Sequence, residues 1–281
     1  LPPENKPSPA ATRVRTSSSR RNAGERGGAA VGRWSREPLI VLLPVILDAE
    51  ATIEMAALTK DPFRLQAPRL HAVIQNGRLT VDRLTGQIFD GALEAKAVID
   101  TGSGVPDISA SFAMKDFDSR KAVRLLANLD RLKGPVSMAG NLRAAGTSEA
   151  ALVSSLNGNL NLSGRVQVIL KREEKAAVGV AGIANLASVI LGSKVRELRK
   201  LTPYTQLVVA LDQTLGRNPA LLTGDFQISR GVARTSNLTL GGTGGKAVTA
   251  ATVDLPAWRM QSRTDLLDRR GGDPLLTYEM S

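Results

Sequence analysis

Apolar and polar residues alternate along most of this chain, in blocks that end at glycine or proline. Leu93, Ala95, Ala97 and Ile99 take every second place, with Glu94, Lys96 and Val98 between them. After Gly102–Pro106 the same period returns in Ile108, Ala110, Phe112 and Met114, and later in Val136, Met138, Leu142 and Ala144. In Asn159–Lys171, Leu160, Leu162, Val166, Val168 and Leu170 share one side, with Gly164 in step. Asn159, Asn161, Ser163, Arg165 and Gln167 share the other. A period of two puts alternate side chains on opposite faces of a strand. One dry face and one wet face is the signature of antiparallel sheet. At about 3.4 Å per residue Asn159–Lys171 reads as the longest regular strand, roughly 40 Å, too long for a compact barrel.

The pattern is written twice. Gly77–Asp100 and Gly231–Asp254 align without a gap at an offset of 154: Gly77 on Gly231, Leu84 on Leu238, Gly91 on Gly245, Asp100 on Asp254. Fixed-offset similarity predicts a duplicated unit. Each copy reads as strand, turn, strand, turn, strand, so the copies form β-meanders near 70–100 and 224–254. Upstream, Arg69–Gln75 reads as a strand closed by the hairpin turn Asn76-Gly77. Asp48–Met55 alternates too, with Asp48, Glu50, Thr52 and Glu54 opposite Ala49, Ala51, Ile53 and Met55. Carboxylates along a wet strand face serve solubility more readily than acid–base chemistry.

The period lengthens in three places. Ala122, Leu125, Leu126 and Leu129 fall at helical spacing behind Asp118 or Ser119 as cap. Thr147 is placed to cap a short helix carrying Leu152 and Leu156, closed by Asn157-Gly158. Residues 174–216 read as a helical insertion. Within it Ala176–Gly192 is apolar and small-residue rich, short for a membrane span and interrupted by Asn185 and Ser188, so a buried or interfacial helix fits it better. Leu191, Val195 and Leu198 continue at helical spacing opposite the basic Arg196, Arg199 and Lys200. Thr202-Pro203 then opens a helix ending near Gly216. Beyond Trp258 the pattern becomes polar, and the end of the chain reads as truncated or loose.

Composition narrows the chemistry. The 281 residues are 42% hydrophobic but only 3% aromatic, so the dry face is built from Ala, Val, Leu and Ile. The net charge is +11, and +5 of it sits in residues 1–37, rich in Pro, Ser, Gly and Ala. Such a segment cannot offset its ordering entropy and is expected to be a disordered basic linker. It serves as a solvated spacer or as a tether to an anionic surface. Residues 38–281 then form the folded domain. The first residue is Leu1, so the chain reads as a processed form or fragment whose signal or anchor would lie upstream. Pro38–Leu47 is an apolar run too short to span a bilayer.

Catalytic signals are few. There is no cysteine, which excludes disulfide and thiol chemistry. His71 is the only histidine, so a Ser-His-Asp site would have to be built around a mid-strand residue. Gly241–Lys246 resembles a phosphate loop only in composition: its first glycine position holds Leu240, Lys246 precedes Ala247, and a strand follows where a helix is required. It is better read as a flexible turn. Basic patches lack the aromatics that stack nucleic-acid bases, so no nucleic-acid partner is expected. No metal or cofactor site stands out.

Three stretches resemble the AsmA family. They are Asn76-Gly77-Arg78-Leu79 through Phe89-Asp90-Gly91-Ala92-Leu93; Gly146–Ser163, with its short helix and Leu-Asn-Gly-Asn-Leu run; and Gly224–Val232 with Asn237-Leu238-Thr239-Leu240. Together the resemblance covers about residues 36–260. It implies a periplasmic protein of Gram-negative bacteria, held at the inner membrane by an N-terminal helix upstream of this chain and engaged in outer-membrane biogenesis. It also implies a long β-sheet similar to the lipid-carrying groove of chorein-type bridge proteins, with outer-membrane envelope proteins as further partners. The apolar stretch at 176–200 has no counterpart in that pattern.

The expected fold is therefore mainly β with a few helices: a long, curved antiparallel sheet containing duplicated meanders. Its one apolar face must be covered, occupied or liable to aggregation. Occupied, it is a groove for phospholipid or other acyl lipid, lined by Leu93, Ala95, Ala97, Ile99, Ile108, Ala110, Phe112, Leu160, Leu162, Val166, Val168, Phe226 and Ile228, and needing no catalytic residue. Covered, it is the core of a structural or scaffolding domain. Both readings stand at this level.

Overall fold

The structure, a computed structural model, describes residues 13–16, 34–39, 48–60, 62–127, 130–170, 208, 210–212, 214–215 and 218–280. Most of the 1–37 linker, the 40–47 part of the first apolar run and the insertion up to residue 207 lie outside the described residues, as does the membrane-helix alternative for 176–192.

The elements are β1 (Arg13–Thr16), β2 (Ala49–Glu54), β3 (Ala57–Lys60), β4 (Phe63–Gln75), β5 (Arg78–Ile88), β6 (Gly91–Asp100), β7 (Asp107–Asp118), α1 (Ser119–Ala127), β8 (Leu132–Lys133), β9 (Pro135–Ala145), α2 (Glu149–Ser155), β10 (Asn157–Val168), β11 (Ala220–Ser229), β12 (Val232–Gly241), β13 (Gly245–Asp254), β14 (Arg259–Asp268) and β15 (Leu276–Met280). They form one 15-stranded open sheet in the order β1-β15-β14-β13-β12-β11-β10-β9-β7-β6-β5-β4-β2, with β3 beside β4 and β8 beside β10. Every pairing is antiparallel except β1 with β15. Neighbouring strands lie about 4.8 Å apart, so the path is roughly 55–60 Å wide. It does not close into a barrel.

Hairpins explain the nearest-neighbour order. Asn76-Gly77 (φ 51° and 70°), Phe89-Asp90 (51° and 65°) and Arg230-Gly231 (49° and 74°) each place two successive residues at positive φ. That geometry matches the right-handed twist of the flanking strands.

The 154-residue offset persists in the register. Ile74 pairs with Leu79 and Ile228 with Ala233; Arg78 pairs with Asp100 and Val232 with Asp254. Both copies slip register at the same place, between Val81 and Leu84 and between Thr235 and Leu238. Each copy is thus one bulged hairpin, not three strands: the interruption in its alternation is a β-bulge, which bends the strand without ending it. The closing contacts also correspond, Thr101 N–H to Gly77 O (3.3 Å) and Leu255 N–H to Gly231 O (3.0 Å).

Several local expectations shift. The longest strand is β4, with 13 residues. β10 has 12, beginning two residues earlier and ending three earlier than its alternation suggested. Ser148, not Thr147, caps α2, its Oγ accepting from the Ala151 N–H. Asn157 and Gly158 open β10, and Leu156 ends the helix. At α1 the Asp118 carboxylate accepts from the Arg120 N–H (2.9 Å).

The chain end is not loose. β14 and β15 add two strands, and Leu266, Leu276 and Tyr278 are buried with Ala247 and Ala210 in one cluster. Residues 208, 210–212, 214 and 215 are helical, with Val208, Ala210 and Leu215 buried. The glycine-rich turn is the seat of this helix. Thr243 donates its N–H to Leu215 O (3.0 Å), and a Cβ on Gly242 would lie 2.1 Å from the same oxygen. A second cluster joins Met114, Phe117, Val136, Val166 and Leu222 to Ala122 of α1.

The segment before β2 is docked at its end. Trp34 donates its indole N–H to Leu255 O (2.8 Å), and its ring meets Trp258 edge-on at 5.9 Å. Ser35 O accepts from the Ala150 N–H (3.0 Å). Within residues 1–37, expected to be a disordered linker, β1 thus pairs with β15, and Trp34 and Ser35 contact the folded domain.

Candidate functional site

Residues directly opposite on paired strands project to the same face, so the register fixes what each face carries. Ile53 of β2 is opposite Leu70, Leu70 opposite Leu84, and Leu84 opposite Ala95. The line continues through Phe112, Gly140, Leu160 and Phe226. One step along the strands runs a second line, Ala72, Val81, Ala97, Ala110, Leu142 and Gly158, which continues through Ile228, Ala233 and Val253. Leu93, Met114, Met138 and Leu162 form a third. Ile99, Ile108 and Ala144 form a fourth. Val166 faces Ala220, and Val168 faces Leu132.

All thirteen residues assigned to the apolar lining therefore lie on one face, which runs unbroken across the sheet. Their environments differ. Val166 (0% exposed) and Ile228 (7%) are buried, and Val166 belongs to the closed cluster beside α1. The other eleven are half-buried. The face is thus closed where α1 and the helical residues Val208, Ala210 and Leu215 pack on it. It is partly open along the middle lines through Ala95, Ala97, Ala110, Phe112 and Leu160.

The opposite face carries the polar side chains, including His71. Its Nδ1 lies 2.6 Å from Asp82 Oδ1 and its Nε2 3.0 Å from Glu50 Oε1. The hydrogen bonds to Asp82 and then to Glu50 raise the His71 pKa above 6.5, and the bond to His71 lowers that of Asp82. Both ring nitrogens are engaged with carboxylates, so neither is left to deprotonate a serine. Glu50 and Glu54 are not idle wet-face charges, since Glu54 pairs with Arg69 (3.5 Å). Among the described residues no cluster of three or more His, Asp or Glu is placed to hold a metal ion. No helix of those residues is long and apolar enough to cross a membrane.

Two concavities escaped the sequence reading, and both open on the polar face. One, of about 850 Å³, is walled by Gln227, Arg234, Thr252 and Gln261 on one side and by Asp225, Asn237, Arg263 and Glu279 on the other. The second, of about 580 Å³, is walled by Lys96, Ser111 and Asn141 and by Thr80, Ser109 and Arg143. Small or apolar residues between the walls complete the lining, Ala250 and Ala251 in the first and Ala97, Val98 and Ala110 in the second. No local signal marks them, because their walls come from strands far apart in sequence.

The sequence model of the AsmA family matches residues 21–184, more than half of the chain. It takes in the Asn76–Leu93 and Gly146–Ser163 stretches and stops short of the third. No curated protein and no solved structure matches the chain. The family is associated with the bacterial envelope and is not a known enzyme family. On the family match and the open, one-sided sheet, this chain belongs to the AsmA family.

Proposed function

We propose that this chain carries the acyl chains of phospholipid along its apolar face, between the inner and outer membranes, as a non-enzymatic periplasmic protein tethered to the inner membrane. The observation that carries this reading is the continuity of the apolar lines from β2 to β14, with their middle portion half exposed. Apolar contact is non-directional, gaining about 25 cal/mol per Å² removed from water, so a chain held this way can slide. Small side chains such as Ala97 and Ala110 leave room above the sheet, and no reacting group is needed. The two buried clusters favour the competing reading, a closed scaffold core, but only where helices cover the face.

One substitution separates the two. Ala97 lies between Val81 and Ala110 in the open middle. A carboxylate there would sit beside the sliding chain without a partner, which is strongly unfavourable for the chain. Ala97→Glu is expected to abolish photocrosslinking to phospholipid while keeping the melting temperature. Ala92→Glu, the same change on the polar face of the same strand, is expected to leave both crosslinking and melting temperature unchanged. A folded Ala97→Glu protein that still crosslinks normally sinks the lipid path. An unfolded one establishes the closed core.

A further inference from the structure

The polar face carries its own continuous line, distinct from the apolar one. Lys96 is opposite Ser111, Ser111 opposite Asn141, and Asn141 opposite Asn159. Asn159 is opposite Gln227, and the line runs on through Arg234, Thr252 and Gln261. It spans eight strands, roughly 34 Å at about 4.8 Å per strand. Its two ends wall the two concavities, and Asn159 lies between them. Amides and hydroxyls make up most of it. Lys96 and Arg234 are its only charges, and it holds no carboxylate.

These side chains are uncommitted. Lys96, Gln227, Arg234 and Gln261 make no side-chain hydrogen bond or ion pair among the described residues, and Asn141 reaches Asn159 at only 3.5 Å. Carboxylates stand at the margins, Asp225 and Glu279 at one concavity and Asp82 at the other: Asn161 and Asn237 both donate to Asp225, at 2.5 and 2.8 Å, and these bonds lower its pKa, while Asp82 is bonded to His71. Charges of both signs, such as the Arg143–Asp107 pair, sit beside the line and serve solubility. This line offers instead paired donors and acceptors from carboxamides, set in a concave surface.

We propose that this polar trough binds an extended glycan strand laid across the β-strands. Hydroxyl and acetamido groups match carboxamides donor for acceptor. One sugar of an extended β-1,4-linked pyranose chain advances by slightly more than the strand spacing of about 4.8 Å, so a few successive sugars stay in step with successive strands. A polyphosphate or nucleic acid would require a denser run of cations than two in eight, and aromatic platforms that are absent. An added peptide strand would pair with a sheet edge, not lie across a face. The site is independent of the lipid path, since it uses the other face.

The test is titration of the full chain with N-acetylglucosamine oligomers by calorimetry. The hexamer is expected to bind at least tenfold more tightly than the dimer, because it reaches more of the line. The double variant Gln227→Ala/Gln261→Ala is expected to weaken the hexamer about tenfold, each amide contributing roughly threefold or more, with an unchanged melting temperature. Ala97→Glu is expected to leave hexamer binding intact while it blocks lipid, so the two proposals fail separately. No hexamer binding at millimolar concentration, equal affinity for dimer and hexamer, or indifference to the double variant overturns the glycan site. So does tighter, salt-dependent binding of a single-stranded DNA oligomer.

Discussion

Leu266→Ala tests whether the last strands are part of the folded core. Leu266 is 0% exposed and packs with Ala210, Ala247, Leu276 and Tyr278, joining β13, β14 and β15 to the helical Ala210. The substitution removes three carbons, worth about 0.8 kcal/mol each in transfer free energy, or roughly 2.4 kcal/mol. The cavity adds to this. Tyr278 is held on both sides by sheet neighbours and Ala210 has little side chain to move, so collapse is limited and the loss falls at about 3–5 kcal/mol. For a domain of this size that is a fall in Tm on the order of 10 °C. The matched control is Leu221→Ala, at a position 54% exposed, expected to change stability by less than about 0.5 kcal/mol. Thermal melts followed by far-UV circular dichroism, supported by urea titration, measure both. A loss below about 1 kcal/mol for Leu266→Ala would show that residues 259–280 do not share the core, and the Leu266–Leu276–Tyr278 cluster would have to be abandoned.

Two further outcomes follow from single positions. Gly158 has φ 152°, and a Cβ there would lie 2.0 Å from the backbone oxygen of Asn141. Gly158→Ala is expected to cost about 1–3 kcal/mol in urea denaturation, against a small change for Gly241→Ala, where the nearest atom to a Cβ would be 3.9 Å away; equal effects would refute the close approach of β9 and β10. His71, the only histidine, should give a single imidazole titration by NMR, with a pKa above 6.5 that falls back in Asp82→Asn. The raised value means that protonated His71 stabilises the folded state. That contribution is full below the unfolded pKa near 6.5 and is lost as pH rises through the folded pKa. The Asp82 contribution runs the other way, present above its ordinary 3.8 and lost as pH falls through its lowered value. A His71 titration at or below 6.5 would show that the Glu50–His71–Asp82 bridge does not form.

Alternation by itself determined which side of each strand is apolar, because a side chain's face depends only on its own strand's pleat. That is why Leu93, Ala97, Ile108, Leu160 and Phe226 emerge on one surface, and why an open antiparallel sheet was legible. The 154-residue duplication was legible for the same local reason, since glycines mark turns wherever they fall. What alternation cannot carry is anything set by packing across the chain. The break in alternation at Asp82-Arg83 or Ser236-Asn237 does not end the strand, because pairing with β6 and β13 absorbs it as a bulge. Arg259–Asp268 reads as loose because Ser262 and Thr264 occupy its inward places. Only the neighbours Ala247, Leu276 and Ala210 make Leu266 a core residue. Whether a stretch of the apolar face is closed, as at Val166, or half open, as at Ala97, depends on where helices land. The polar trough exists only after folding, because its line takes one residue from each of eight strands and no two of them are adjacent in sequence.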